Sequence, residues 1–166
     1  MNILYKFLLI GAVLIVSACS NSNLFGRGAD GSDLISGAGD VSDPRSPAYF
    51  QQTVGDRVLF VVDQSTLTTE GRAILDAQAD WLNTNTEFNA LIEGHADEQG
   101  TRDYNLALGG RRANAVQEYL VSRGVAETRL RIVSFGKERP FEICSEEACY
   151  AKNRRAVTVV SAGPVS

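Results

Sequence analysis

The chain has 166 residues, with 20 acidic and 16 basic side chains and a formal net charge of −4. Its mild acidity and the lack of a basic run argue against nucleic acid as a ligand. The length beyond the first residues suits one domain with a hydrophobic core and is short for two.

The first 18 residues have the pattern of a secretory signal peptide. Lys6 gives a positive end, and residues 7–16 form an apolar run too short to cross a bilayer as an ordinary transmembrane helix. Small residues stand directly before Cys19, which resembles a lipobox, so we expect cleavage there and lipidation of Cys19. The alternative is a plain signal peptide cleaved nearby. Removal of residues 1–18 takes Lys6 away and moves the formal charge from −4 to −5.

The segment from residue 20 to residue 48 is predicted to be a flexible tether. It is rich in Gly, Ser, Asp and Asn, and its few large apolar residues are too scattered to bury a core. As a coil it would span roughly 30 Å, and at most about 100 Å when stretched. A spacer without a required length is the alternative. The folded domain is expected over residues 49–163.

The first half of this domain predicts a strand and a helix. Residues 57–62 form a β-rich run suited to a buried strand. Thr68 or Thr69 is expected to cap a helix that runs to about Asn83. At helical spacing, its inward face comprises Ile74, Leu75, Ala77, Trp81 and Leu82.

The second half continues the alternation. A strand over 89–95 precedes a helix that Asp103 is expected to cap and that ends at Arg123-Gly124. The residues of this helix expected to face inward are Leu106, Ala113, Val116 and Leu120. A strand over 130–135, a helical piece over 146–152 and a strand over 155–160 complete the pattern. Strands alternating with helices predict helices packed on a sheet, with right-handed crossovers between parallel strands.

Two further cysteines, Cys144 and Cys149, are separated by four residues. In an exported protein they are expected to form a disulfide that closes a small loop and contributes on the order of 2 kcal/mol. A metal pair is the competing interpretation. It would need further ligands, and the chain has one His and no other Cys beyond Cys19.

Asp97 and Arg112 are the candidate binding residues. Asp97 comes just past the second strand, and Arg112 lies 15 positions later in the next helix. Arginine pairs with both oxygens of a carboxylate, and Asp97 can receive an ammonium. This pair therefore suits a ligand with a zwitterionic end, such as an amino acid. Arg112→Leu is expected to remove most of the binding and to leave the fold intact. The alternative is an Asp97–Arg112 salt bridge that only supports the fold. Adjacent helical residues point about 100° apart, so only one of Arg111 and Arg112 can face the same pocket.

The segment Glu93-Gly94-His95-Ala96-Asp97-Glu98, with residues 105–116, resembles the signature of the OmpA-like peptidoglycan-binding family. The match covers almost everything after Phe60. It implies an α+β fold, an α/β sandwich with helices packed on a mixed four-stranded sheet. In that family the positions matching Asp97 and Arg112 contact diaminopimelate, whose side-chain end carries an amine and a carboxylate. A lysine side chain lacks that carboxylate. The resemblance also favours Arg112 over Arg111 as the pocket residue, so Arg111 is expected to be solvated or to face a partner.

The same resemblance adds Asn105, Leu108, Phe60 and Asp63 to the predicted ligand-binding set. Leu108 precedes Arg112 by one helical turn and would form an apolar wall, or it is simply core. The family usually has Phe-Asp-x-Asp where this chain has Phe60-Val61-Val62-Asp63, so one acidic position is lost to Val61. Contacts through the backbone would survive this change, whereas contacts that need the carboxylate would not.

Asn153-Arg154-Arg155, at the start of the last strand, also matches the family. Ligand contact is one interpretation of this segment. Capping and surface charge is the other, and the sequence leaves both open.

Together, the lipidated cysteine and the family resemblance imply a lipoprotein of the outer membrane that faces the periplasm. Ser20 after Cys19 is consistent with that location. Such a protein would bind peptidoglycan non-covalently, without catalysis, metal or cofactor. The resemblance also implies TolB as a partner and a role with the Tol system in cell division.

The sequence leaves two other functions open. A wall-active hydrolase could use Glu93, Asp97 or Glu98 as acid and base. A stator-type wall anchor would share the binding domain but needs a true transmembrane helix. Glu93, His95 and Asp97 alternate along a strand like metal ligands, but with one His a functional metal site is not expected.

Overall fold

The computed structural model describes residues 39–143 and 145–163. Helices and strands alternate within this range. Their bounds are α1 Pro47–Tyr49, β1 Arg57–Leu59, α2 Thr69–Thr84, β2 Phe88–His95, α3 Arg102–Ser122, β3 Leu130–Gly136, α4 Glu147–Asn153 and β4 Arg155–Ala162. A π-helical turn over Phe50–Gly55 follows α1, and a 3₁₀ turn over Glu127–Arg129 leads into β3.

The four strands form one mixed sheet in the order β1-β4-β2-β3. Strands β2 and β3 are parallel, and α3 is the helix that connects them. Strand β4 lies between β1 and β2 and is antiparallel to both. The predicted α+β fold with a mixed four-stranded sheet is therefore confirmed.

The hydrophobic core lies between the sheet and helices α2 and α3. Strand β2 alternates in burial along its first six residues, and Ala90 and Ile92 are fully buried. Trp81 packs against Phe50 and Phe88, with ring centroids 4.9 and 5.1 Å apart. Its indole N–H donates to the carbonyl oxygen of Pro44 at 2.8 Å. Residues before Tyr49 are thus tied to the core.

Helix α2 begins as predicted but buries a slightly different face. Thr68 is its N-cap, and the hydroxyl accepts a hydrogen bond from the N–H of Gly71. Ala77 was expected to face inward and is exposed. Gln78 is buried instead, because its side chain donates to the carbonyl of Gly55 at 2.7 Å and accepts from the hydroxyl of Thr158 at 2.8 Å.

Helix α3 lies on β2 through glycines, and this contact sets its rotation. A methyl group at Gly94 would come within 2.6 Å of the carbonyl carbon of Gly109, so only glycine allows the helix to approach this closely. This rotation leaves Leu106 48% exposed, and its predicted inward position is wrong. The predicted N-cap was also wrong. Thr101 caps the helix by accepting from the N–H of Tyr104, and Asp103 lies in the first turn.

The predicted first strand is shorter than its β-rich sequence. It ends at Leu59, although the N–H of Phe60 still donates to the carbonyl of Arg154 at 2.9 Å. The chain then turns through residues 61–64. Within this turn Asp63 has φ of 58°, in the left-handed region that aspartate tolerates better than most residues.

Candidate ligand-binding site

The candidate site lies where the end of β2, the middle of α3 and the turn over residues 61–64 meet. Asp97 follows β2 by two residues, and Arg112 projects from α3. The close contact between Gly94 and Gly109 brings the helix down onto this end of the strand. The structure therefore places Arg112 beneath the segment that carries Asp97.

Arg112 is fully buried and donates to three backbone carbonyls. Its Nε donates to Gln64 at 2.8 Å, and its two terminal nitrogens donate to His95 at 2.8 Å and to Val61 at 3.2 Å. Its guanidinium carbon lies 5.2 Å from the centre of the Phe60 ring. Burial lowers the pKa of Arg112 to about 10, so the side chain stays charged at neutral pH.

Asp97 pairs with Arg154 rather than with Arg112. Its Oδ2 lies 3.0 Å from a terminal nitrogen of Arg154, and both side chains are buried. Its Oδ1 accepts from the N–H of Gln99 at 3.1 Å. The salt bridge to Arg112, which was the alternative interpretation of the sequence, is replaced among the described residues by one to Arg154. The negative charge of Asp97 opposes the lowering of the Arg112 pKa by burial.

Arg154 is the functional candidate whose role the sequence left open. It bonds to Asp97, to the carbonyl of Phe60 at 3.3 Å and to the carboxylate of Glu147. Burial by itself would lower the pKa of Arg154, but the bonds to Glu147 and Asp97 outweigh it and leave that pKa raised. The sequence signal that could have identified Arg154 is its position directly before β4. Because β4 lies next to β2 in the sheet, this position is close to Asp97.

Asn105 supports the segment that carries Asp97. Its side-chain amide donates to the carbonyl oxygens of Asp97 at 3.3 Å and Gln99 at 2.8 Å, and the residue is buried. These bonds tie the first turn of α3 to residues 97–99. The structure thus brings Asn105 and Asp97 together, with Asn105 acting on the backbone.

Phe60 and Leu108 are both buried near Arg112, at 4% exposure each. Phe60 belongs to the main apolar core, and its ring lies beneath the guanidinium of Arg112. Leu108 precedes Arg112 by one turn on the buried face of α3. Both residues therefore combine a core position with a place beside the buried cation.

Asp63 lies at the exposed rim of the site. Its carboxylate accepts a hydrogen bond from the hydroxyl of Tyr104, which links the 61–64 turn to α3. Arg111 is exposed, as expected for the neighbour of a buried helical residue, and its guanidinium lies 5.9 Å from the Tyr104 ring. Val61 is 49% exposed, and its backbone carbonyl accepts a hydrogen bond from Arg112. Because this contact uses the backbone, the absence of an acidic side chain at position 61 does not affect it.

The three carboxylates considered for catalysis have three different partners. Glu93 lies 3.5 Å from Nε2 of buried His95, and this contact lowers the pKa of Glu93. Asp97 pairs with Arg154, and Glu98 accepts from the amide of Asn153 at 3.1 Å. In the part of the chain that the structure describes, no three His, Cys, Asp or Glu side chains are arranged to hold a metal ion.

Several predictions concern residues outside the described ranges. Cys19, the signal peptide and residues 20–38 lie outside them, as does Cys144. Cys149 lies in α4, and its pairing with Cys144 stays a prediction. Among the described helices, none combines the length and apolar character needed to cross a membrane.

The model of the OmpA family matches residues 59–154, from the end of β1 to Arg154. A peptidoglycan-associated lipoprotein of Mesorhizobium japonicum is 43% identical to this chain over 150 residues, which cover 90% of this chain and 88% of the relative. The chain belongs to the OmpA family, among its peptidoglycan-associated lipoproteins. This membership confirms the predicted family and the prediction that the chain is not an enzyme.

Solved structures agree with this membership of the OmpA family. The peptidoglycan-associated lipoprotein of Burkholderia pseudomallei is 37% identical, with a TM-score of 0.65, and the match covers 73% of this chain and 98% of that one. The C-terminal domain of Helicobacter pylori MotB is 18% identical, with a TM-score of 0.61 and coverage of 65% and 85%. The second likeness shows the shared fold alone.

Proposed function

We propose that the chain is an outer-membrane lipoprotein that binds the stem peptide of peptidoglycan non-covalently through diaminopimelate. The names of its relatives support this function. The observation that carries it is the buried, charged Arg112 beside the buried Asp97, at the end of the sheet. A cation and an anion held together in this way suit the zwitterionic end of diaminopimelate.

In this proposal the ligand carboxylate binds Arg112 and the ligand ammonium binds Asp97. Arginine has five N–H groups, and three of those on Arg112 donate to carbonyls of the chain. Because Arg112 is fully buried, the ligand carboxylate reaches it only when the turn over residues 61–64 moves aside. Exchange of a neutral carbonyl for a carboxylate is favourable, since hydrogen bonds between charged groups are roughly twice as strong as neutral ones.

The remaining predicted residues form the surroundings of this ligand. Phe60 and Leu108 supply apolar walls beside Arg112, and Asp63 lies at the rim. Asn105 holds the backbone of residues 97–99 in place. A lysine-containing peptide would leave Arg112 without its carboxylate partner, so it is expected to bind far more weakly.

The same proposal assigns the parts of the chain. Residues 1–18 are a signal peptide, residues 19–48 are the lipidated cysteine and tether, and residues 49–163 are the binding domain. Several acyl chains, palmitate among them, would hold Cys19 firmly, at about 0.8 kcal/mol per buried CH2. Modest affinity for each stem peptide suffices, because an anchored population facing a polymer makes many contacts at once.

We also propose a disulfide between Cys144 and Cys149, and TolB as a protein partner. The partner is proposed from the family resemblance, in which TolB competes with peptidoglycan for an overlapping face. Through TolB the Tol system would relocate the protein during envelope constriction in cell division. Competition between TolB and a stem peptide for the purified chain tests this part of the proposal.

Calorimetric titration tests the binding function directly. The chain from residue 20 onward retains every described residue. It is titrated with a diaminopimelate-containing stem peptide and with the lysine-containing analogue. Selective binding of the first peptide supports the proposal. Binding of neither peptide would refute the diaminopimelate site and shift attention to a protein partner.

A further inference from the structure

The candidate site buries more positive than negative charge. Arg112 is 0% exposed, Arg154 is 4% exposed and Asp97 is 7% exposed. Glu147, the other carboxylate bound to Arg154, lies at the surface with 65% of its side chain exposed. The site therefore holds two buried cations and one buried anion, and solvent screens the second anion.

The two partners proposed for the ligand are occupied to different degrees. Both oxygens of Asp97 already accept hydrogen bonds, one from the charged Arg154 at 3.0 Å and one from the N–H of Gln99 at 3.1 Å. A ligand ammonium at Asp97 would join an anion that is already paired, near a second cation. Arg112, by contrast, is bound only by neutral carbonyls, so its charge lacks a directly bonded counterion among the described residues.

We propose that Arg154 determines the specificity of this site by neutralising Asp97, so that the ligand carboxylate supplies most of the affinity. The ligand ammonium then adds little. This inference rests on the proposed binding of diaminopimelate and deepens it. The preferred ligand class is an amino acid with a carboxylate at the far end of its side chain, with or without the neighbouring amine.

Three stem peptides that differ in one residue separate these contributions. That residue is diaminopimelate in the first, 2-aminopimelate in the second, which keeps the carboxylate and lacks the amine, and lysine in the third. By calorimetry, the 2-aminopimelate peptide is expected to bind within about fivefold of the diaminopimelate peptide, because an added pair with a neutralised anion is weak. The lysine peptide should bind about ten- to a hundredfold more weakly, through loss of a charged hydrogen bond.

Two variants test whether Arg154 sets this preference for the 2-aminopimelate peptide over the lysine peptide. In Arg154→Gln, Asp97 regains its full charge, and the preference should fall at least about tenfold. In Glu147→Gln, Asp97 is the remaining carboxylate partner of Arg154 among the described residues, and the preference should rise about two- to fivefold. A thermal melt shows whether Arg154→Gln is folded. If it is not, the exposed Glu147 substitution decides.

Glu87→Gln is the matched control, with the same change in charge. Glu87 is exposed, pairs with Arg45 and precedes β2 at the end opposite Asp97, roughly 25 Å away along the strand. It should leave the preference unchanged. A lysine peptide that binds the native chain as tightly as the 2-aminopimelate peptide would overturn the inference. So would a preference that is unchanged in the Arg154 and Glu147 variants. Failure of all three peptides to bind would instead refute the proposed function.

Discussion

Replacement of Arg112 by leucine is expected to destabilise the fold as well as abolish binding. From the sequence alone, this substitution was expected to spare the fold. In the structure, however, Arg112 is fully buried and holds the carbonyls of Gln64, His95 and Val61. Leucine cannot donate to any of them, so the 61–64 turn loses its attachment to α3 through this side chain.

The magnitude follows from what each carbonyl loses and what leucine recovers. A buried polar group without its partner costs about 1–3 kcal/mol, and His95 is the buried member of the three. The other two carbonyls belong to Val61 and Gln64, which are exposed, so water can replace part of their hydrogen bonds. Burial of the guanidinium charge is unfavourable, which is why the pKa of Arg112 is lowered to about 10. Leucine removes this unfavourable contribution. We therefore expect the free energy of unfolding to fall by about 2–4 kcal/mol. This is less than the total stability of a typical domain, so the variant should still fold.

The assay is thermal and urea-induced unfolding, with Arg111→Leu as the control. Arg111 is the preceding residue of the same helix, is exposed and undergoes the same change of side chain. The Arg112 variant should melt roughly 10 °C below the Arg111 variant, on the usual scale for small domains. If the two variants melt within about 2 °C of each other, the assigned role of Arg112 in the fold is refuted.

Further predictions address the packing of α3, a half-buried carboxylate of β2 and the cysteine loop. Gly94→Ala should destabilise the fold by several kcal/mol, because its methyl group meets the backbone of α3, whereas Gly110→Ala, whose methyl has a 3.9 Å contact, should be tolerated. Equal melting temperatures would contradict this. The pKa of Glu93 is lowered from 4.5, mainly by its 3.5 Å contact with His95. Its ionised form therefore stabilises the fold above about pH 4.5, and this contribution disappears as pH falls through the lowered pKa. Glu93→Gln should therefore lower the melting temperature at pH 7 and have less effect at pH 3, and an equal effect at both would refute the assignment. Serine at both cysteines of the 144–149 loop should cost on the order of 2 kcal/mol and leave stem-peptide affinity nearly unchanged, and a large affinity loss would place the loop in the site.

Much of the fold was predictable because it depends on local signals. Alternating periodicity predicted the helices and strands. The N-cap of α2 could be narrowed to Thr68 or Thr69, of which Thr68 is the cap, because the cap bond spans three residues. The face of a helix was harder to predict. Leu106 fits helical spacing toward the core, but the rotation of α3 is set by its contact with a glycine of β2, and no pattern within the helix encodes that contact.

The candidate site divides in the same way. The sequence by itself determined that an aspartate after a strand and an arginine in the next helix lie close together, because the connection between them is short. It also supplied the motif that pointed to the family. Only the tertiary structure decided which charges pair. Asp97 and Arg154 are 57 positions apart, and they meet because β4 lies next to β2 in the sheet. Burial strengthens the Asp97–Arg154 pair and covers Arg112 with backbone carbonyls. The electrostatics of the site therefore depend on strand order and on burial, and neither can be read from residue spacing.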